Sequence, residues 1–285
     1  MVATAYEMHP LPDLDRPIFV MAFRGLFDMG EAATSAIDWL SMTHSAMPAA
    51  SIDPEELFDF QEVRPEVRLG VNGQREILWP KNNVVWARTE AGQRDLVLLG
   101  GVEPNLRWRS FGQTIEELVL HTRAELVVTL GSTLAMVPHT RGFPVTASTG
   151  DPALAETLGI SRPTYEGPTG LIGSLHQQLG DAGTPILSLR VSVPHYVPGP
   201  PSPKATSALL ASLERLCGIA TSHASMADEI RDWESRVHLA LEDDEDVRNY
   251  VDELERQADI EPEVVYDSDA FADEIERFLD GTSDD

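Results

Sequence analysis

Glu103, Arg107, Ser132, His139, Arg141, Glu166, Thr169, Gly170 and His195 are the residues of this chain whose types and positions could do chemistry. They fall in four segments of similar design. LVLLGG (96–101) leads into VEPNLRW, LVVTLGS (126–132) into TLAMVPHTRGFPVTASTGD, and ILSLRVS (186–192) into VPHYVPGPPSP. Each of these apolar runs reads as a buried strand. The fourth segment, RPTYEGPTGLIG (162–173), opens a helix. Ligands of open α/β sheets bind outside the carboxyl ends of the strands, so these loops mark where a site should lie.

Each residue has a chemical and a structural reading. Glu103 could bind a ribose hydroxyl or act as a general base; equally, it is a loop acid that hydrogen-bonds amides around Pro104. Arg107, with Arg109 across Trp108, could clamp a phosphate or carboxylate, or pair with acids of the same chain. Gly131-Ser132-Thr133 could hold an anion on its amides and hydroxyls, but it lacks the Gly-Lys-Ser/Thr of a phosphate loop and the GxSxG of a hydrolase elbow. His139 is a candidate general acid or base and Arg141 a candidate anion clamp, with structural hydrogen bonds as the alternative for both. Glu166, Thr169 and Gly170 approach a helix N-terminus, where free amides and the dipole suit an anion. There Thr169 could instead cap the helix, and Glu166 could merely stabilise it. His195 and Tyr196 could stack on a ligand ring or pack beneath the C-terminal helices. No reaction follows from these patterns, and no catalytic residue is assigned. The histidines include no HxH or HExxH spacing, and no GxGxxG follows the first strand. Neither a metal nor another cofactor is therefore expected.

The elements that must hold these loops alternate. PIFVMAF (17–23) reads as a strand and EAATSAIDWLSM as a helix capped by Asp28. VRLGVNGQREILW carries Asn72-Gly73 between two alternating runs, a hairpin signal. NNVVWART (82–89) and DLVLLGG (95–101) read as strands, SFGQTIEELVLHTR (110–123) as a helix capped by Ser110, and 125–131 as the next strand. A short helix at GDPALAETLGI, a helix at TGLIGSLHQQLGDAG, a strand at TPILSLRVS and a long helix at SPKATSALLASLERLCGI follow. Strands alternating with helices predict a three-layer α/β core over 1–219 with a mainly parallel sheet and a hairpin insertion at about 66–80. Beyond it, Met226, Ile230, Trp233, Leu241, Val247, Val251, Leu254, Phe271, Ile275 and Phe278 recur at helical spacing. A disordered acidic tail would lack such stripes, so 220–285 reads as a helical C-terminal lid over the loops.

The formal net charge is −26. After Ala220, 23 acids stand against 5 arginines, a net of −18, leaving −8 for the first 220 residues. Nucleic-acid binding needs a basic footprint, which neither part has. The apolar runs are too short to cross a bilayer. MVATAYEMHPLPDLD has no signal-peptide pattern, so a cytoplasmic location is expected. The single Cys217, in an apolar helical pattern, reads as a buried structural thiol.

FDMGEAATSAIDWL, LLGGVEPNLRW, LGSTLAMVPHTRGFPVTAST, YEGPTGLIG and VPHYVPGPPSPKAT resemble the PAC2 (proteasome assembly chaperone 2) family, in its actinobacterial branch, over nearly all of residues 14–219. The resemblance implies a core like that of purine nucleoside phosphorylases and peptidyl-tRNA hydrolases. It also implies homo-oligomers, with a trimer expected, a hairpin at subunit contacts, and C-terminal helices over a ligand cleft. Relatives are linked to proteasome assembly; the eukaryotic ones dock through a hydrophobic-tyrosine-any-residue tail, from which the terminal GTSDD departs. The function expected is that of a homo-oligomeric, chaperone-like assembly protein with a protein partner. The alternative is an enzyme or binding protein for a small anionic or nucleoside-like ligand.

Overall fold

The computed structural model describes residues 5–70, 72–90, 92–160, 162–197, 199, 201–260 and 278–279. Ten strands and seven α-helices are seen among them: β1 Tyr6–Met8, β2 Ile18–Arg24, α1 Ala32–Thr43, β3 Met47–Ile52, β4 Glu66–Leu69, β5 Arg75–Leu78, β6 Asn82–Ala87, β7 Leu96–Val102, α2 Trp108–Thr122, β8 Leu126–Ala135, β9 Val145–Ser148, α3 Pro152–Leu158, α4 Leu171–Asp181, β10 Ile186–Pro194, α5 Pro203–Cys217, α6 Ala227–Leu241 and α7 Glu245–Ile260.

Eight strands form one mixed sheet in the order β1-β3-β6-β7-β2-β8-β10-β9. Its centre, β7-β2-β8-β10, is parallel, and antiparallel strands flank it on both sides. Five of the eight strands run in the same direction. The middle strand shows why the sheet has two covered faces. Ile18, Val20 and Ala22 of β2 join one apolar cluster, with α1, α3 and α5. Phe19, Met21 and Phe23 join the other, with α2 and α4. Alternation by two, apolar at every position, is what a strand buried on both faces requires. The result is three layers, as the alternating elements predicted.

The structure adds edges that local patterns do not show. β1, β3 and β9 are short and pair antiparallel to strands distant in the sequence. β8 extends beyond residue 131, because β10 supplies a partner for every residue as far as Ala135. Asp28 does cap α1, from outside it: Oδ1 accepts the Ala33 and Thr34 amides at 2.9 and 3.2 Å. Ser110 does not cap α2, which begins two residues earlier at Trp108, behind a left-handed Arg107. Thr169 provides no cap for α4 either.

Helix α6 is tied into the core. Trp233 and Val237 belong to the same buried cluster as α1 and α5, and the Trp233 ring meets Phe143 edge-on at 6.0 Å. Val251 and Leu254 of α7 are also buried. The expected stripe at Phe271 and Ile275 lies outside the described residues. The hairpin β4–β5 forms a separate two-stranded sheet, with Gly73 at φ +71° in its turn, the conformation a glycine there permits; Val71 lies outside the described residues.

Candidate functional site

The candidate residues belong to the carboxyl ends of β7, β8 and β10 and to the loop before α4. From β7 to β10 is three strand spacings, about 14 Å. Within that span the structure forms two groupings.

The first joins the end of β7 to the start of α4. Glu103 Oε1 accepts the Leu171 amide at 3.2 Å, across 68 residues of sequence. A free amide of the first helical turn is thereby satisfied, the task expected of Thr169. Space for the carboxylate depends on Gly25, where a Cβ would come within 2.5 Å of Glu103 Oε2. A Cβ on Gly170 would lie 3.6 Å from Glu103 Oε1 and 3.5 Å from the Phe27 ring. Phe27 in turn lies under the Arg190 guanidinium, 4.9 Å from its ring centre, a cation–π geometry. Thr169 packs on the first turn, its Oγ1 2.0 Å from where a Gly173 Cβ would stand. Thr169 and Glu166 are exposed. Arg107 is exposed too, 3.5 Å from Glu56, the within-chain pairing that was one of its two readings.

The second grouping surrounds the ends of β8 and β10. Ser132 is fully buried inside β8, which runs three residues past it to Ala135. Its amide donates to Phe27 O at 2.7 Å and its hydroxyl to Met29 O at 2.8 Å. Those donors hold the β2–α1 connection against the sheet and are not presented to an anion. His139 is buried, and Tyr196 Oη lies 2.9 Å from its Nδ1. Burial holds the His139 ring below the ordinary histidine range, and the Lys204 charge adds to this. Arg141 is paired: its Nε and Nη2 donate to both Asp259 oxygens at 2.8 and 3.0 Å, and Glu255 lies 3.5 Å away. The hydrogen bond from Arg141 holds the Asp259 carboxyl below the usual carboxylate range. Thr140 donates to Glu255 as well. His195 is exposed; Tyr250 of α7 stands edge-on to it and to Tyr196, at 5.7 and 6.1 Å. Helix α7 thus touches the loops after both β8 and β10.

Sequence reasoning passed over several participants. Lys204, one of only two lysines in the chain, donates to His139 O at 2.6 Å and to Glu234 Oε1 at 2.5 Å. His176 of α4 approaches Thr129 Oγ1 of β8 at 2.8 Å beneath the sheet. A groove of about 540 Å³ opens between the His139–Thr140 loop and α6, lined also by Glu234, Ser235, His238 and Leu239. His176 had one local signal, its place among Leu171, Leu175 and Leu179 on the buried face of α4. The groove had none, since its two walls are about a hundred residues apart.

A mixed, mostly parallel eight-stranded sheet covered by helices on both faces, with loops gathered at its carboxyl edge, defines a three-layer α/β protein. Its family follows from comparison. The chain belongs to the PAC2 family, whose model matches residues 22–241. It is similar to a PAC2 family protein from Streptomyces avermitilis at 41% identity, covering 82% of this chain and 99% of that one, with a TM-score of 0.76. A proteasome-assembly chaperone homologue from Mycobacterium tuberculosis matches at 36% identity over 82% and 99% of the two chains, with a TM-score of 0.74. An archaeal proteasome activator from Pyrococcus furiosus shares the fold at 19% identity, covering 84% of this chain and 99% of that one, with a TM-score of 0.65. No curated protein matches the chain. No described helix is long and apolar enough to cross a membrane.

Proposed function

We propose that this chain is a homo-oligomeric, chaperone-like assembly protein of the cytoplasm that works through protein contacts, with a trimer as its oligomeric state. The observation that carries the reading is the hairpin. Val67 pairs with Ile77 across β4 and β5, and Leu69 follows two residues on, so all three share one face. Val67, Leu69 and Ile77, together with the adjoining Trp79, remain 43–70% exposed. The opposite face is polar, with Arg68 and Glu76 paired at 3.1 Å. Burying each of the three aliphatic side chains in a neighbouring subunit would contribute about 1.5–3 kcal/mol. A lone two-stranded ribbon has no core of its own for them.

The carboxyl edge supports a protein partner as well. Leu26, Leu106, Leu134, Met136 and Tyr165 are 49–74% exposed there, and apolar residues grouped on a surface mark interaction sites. The name of the mycobacterial relative, a proteasome-assembly chaperone homologue, points to assembly as the purpose of such contacts. Helices α6 and α7 act in this reading as a lid whose acids neutralise the cations of the loops.

Light scattering at micromolar concentration tests the proposal. A trimer is expected for the wild type, and dissociation for the double substitution Val67→Glu with Ile77→Glu, which alters exposed positions only. A monomeric wild type, or a doubly substituted chain that stays trimeric, would remove the hairpin from the argument.

A further inference from the structure

Strand β10 has one apolar face and one polar face. Leu187, Leu189, Val191 and Val193 point into the cluster shared with α1 and α5. Ser188, Arg190 and Ser192 alternate with them and so point to the side of α2 and α4. The neighbouring strands repeat the pattern. Arg190 lies opposite Thr146 of β9 and Gly131 of β8, and Ser192 lies opposite Thr133. Directly opposed residues share a face. Thr146 is exposed, and Thr133, Arg190 and Ser192 are half-buried. The sheet face that is apolar under α2 and α4 thus ends, beside β9, in hydroxyls and one guanidinium that solvent reaches.

Arg190 stands apart from the other arginines. Its guanidinium lies over the Phe27 ring, 4.9 Å from the centre, and among the described residues no hydrogen bond or ion pair engages it. Arg16, Arg94 and Arg141, the other described arginines that are at least half-buried, all have partners. The chain carries 47 acids against 21 lysines and arginines, so carboxylates are plentiful, yet none is placed on this one. Glu103 accepts the Leu171 amide at 3.2 Å and makes no ion pair with Arg190. The nearby His176 ring feels the Arg190 charge with no carboxylate opposing it. Stacking on an aromatic face fixes the plane of a guanidinium and leaves the N–H donors along its edge free. A fork held in place and unmatched, with hydroxyls on both neighbouring strands, suits a ligand whose oxygens carry negative charge.

The arrangement of donors selects among anions. A planar carboxylate is satisfied by a fork in its own plane, whereas a tetrahedral phosphoryl group takes donors from several directions. Here the fork comes from β10 and hydroxyls come from β8, β9 and β10. We propose that the polar face of these three strands, beside α4, binds the phosphoryl group of a small molecule, with Arg190 as the charged anchor and the hydroxyls of Thr146 and Ser192 as further donors. The site lies on the opposite face of the sheet from α5 and α6. The inference is independent of the oligomer argued above.

The test titrates the full chain at neutral pH with inorganic phosphate, phenyl phosphate and acetate, each separately. Binding is followed by calorimetry and by the Nε–H resonance of Arg190. Saturable binding of at least one of the two phosphates is expected, with a downfield shift of that resonance, and acetate should bind about tenfold more weakly or worse. Arg190→Met, which keeps the stem over Phe27 without the donors, should weaken phosphate binding about tenfold or more. Arg190→Lys, which keeps the charge without the fork, should fall between Arg190→Met and the wild type. Should Arg190→Met fail to fold, Arg190→Lys and the wild-type resonance still decide. No saturable binding of either phosphate, acetate bound as tightly, or an unmoved Arg190 resonance would overturn the proposal. Wild-type affinity in the folded variants would overturn it too, since the anion would then be adventitious and bound elsewhere. Light scattering on the same samples reports the oligomer separately, so failure of one idea is not mistaken for failure of the other.

Discussion

Lowering the pH should weaken this fold through His176, and the size of the effect follows from where the ring lies. His176 is on the inner face of α4, with Nε2 2.8 Å from Thr129 Oγ1 of β8. Burial, reinforced by the Arg190 charge, lowers its pKa from 6.5 to about 4. The native state therefore keeps the ring neutral at pH values where the unfolded chain protonates it. Below about pH 6.5 the unfolded state binds a proton that the native state refuses, so stability falls as the pH drops towards 4 and this contribution levels off below that. The gap between the two pKa values corresponds to about 3 kcal/mol, a large share of the 5–15 kcal/mol typical of a domain, taken here as an order-of-magnitude scale. Carboxylates elsewhere also titrate in this window, so the effect must be read as a difference. His176→Asn keeps a hydrogen-bonding group near Thr129 and does not titrate. Urea denaturation followed by tryptophan fluorescence, at fixed protein concentration, should show the wild type losing about 3 kcal/mol relative to this variant between pH 7 and pH 4. If the two stability curves run parallel across that range, the ring is not held neutral by burial and the reasoning fails.

Three further outcomes are expected. Gly101→Ala should cost about 1–3 kcal/mol, because its Cβ would stand 1.8 Å from Asn82 Oδ1 and 2.8 Å from Lys81 O; an unchanged melting temperature would contradict the close approach of β6 to β7. Glu103→Ala should destabilise by about 1 kcal/mol through the lost cap on α4, while Glu103→Gln, which retains an acceptor, should lose clearly less in the same thermal melt. Arg141→Met removes the partner of Glu255 and Asp259, so amide hydrogen exchange should quicken in Glu245–Ile260 and stay unchanged in α1 and α5; equal exchange in both proteins would mean that α7 does not depend on this contact.

Much of the fold could be read along the chain. The doubly buried β2, the amphipathic α1, α2 and α5, the Asn72-Gly73 hairpin and the family motifs are all written in residues close together. Periods of 2 and 3.6, and the backbone freedom of a turn glycine, act over a few residues and need no distant partner. The tertiary structure decided what depends on partners far along the chain. β8 continues through Ser132 to Ala135 because β10 pairs with it, and that pairing buries a serine that local pattern had placed at the strand's end. MPAASI and VTAS become strands only where another strand's amides and carbonyls stand beside them. The cap of α4 comes from Glu103 rather than from the adjacent Thr169, since a carboxylate at the end of β7 stands 3.2 Å from the free Leu171 amide. His139 was legible as a residue of interest, but its role was not. Its hydrogen-bond partner is Tyr196, its cationic neighbour is Lys204, and the groove beside it is closed by α6, at separations of 57, 65 and about 95–100 residues. Local propensity is a property of the chain; the pairing of one polar group with another is a property of the packed interior, where each donor must find its acceptor or go without.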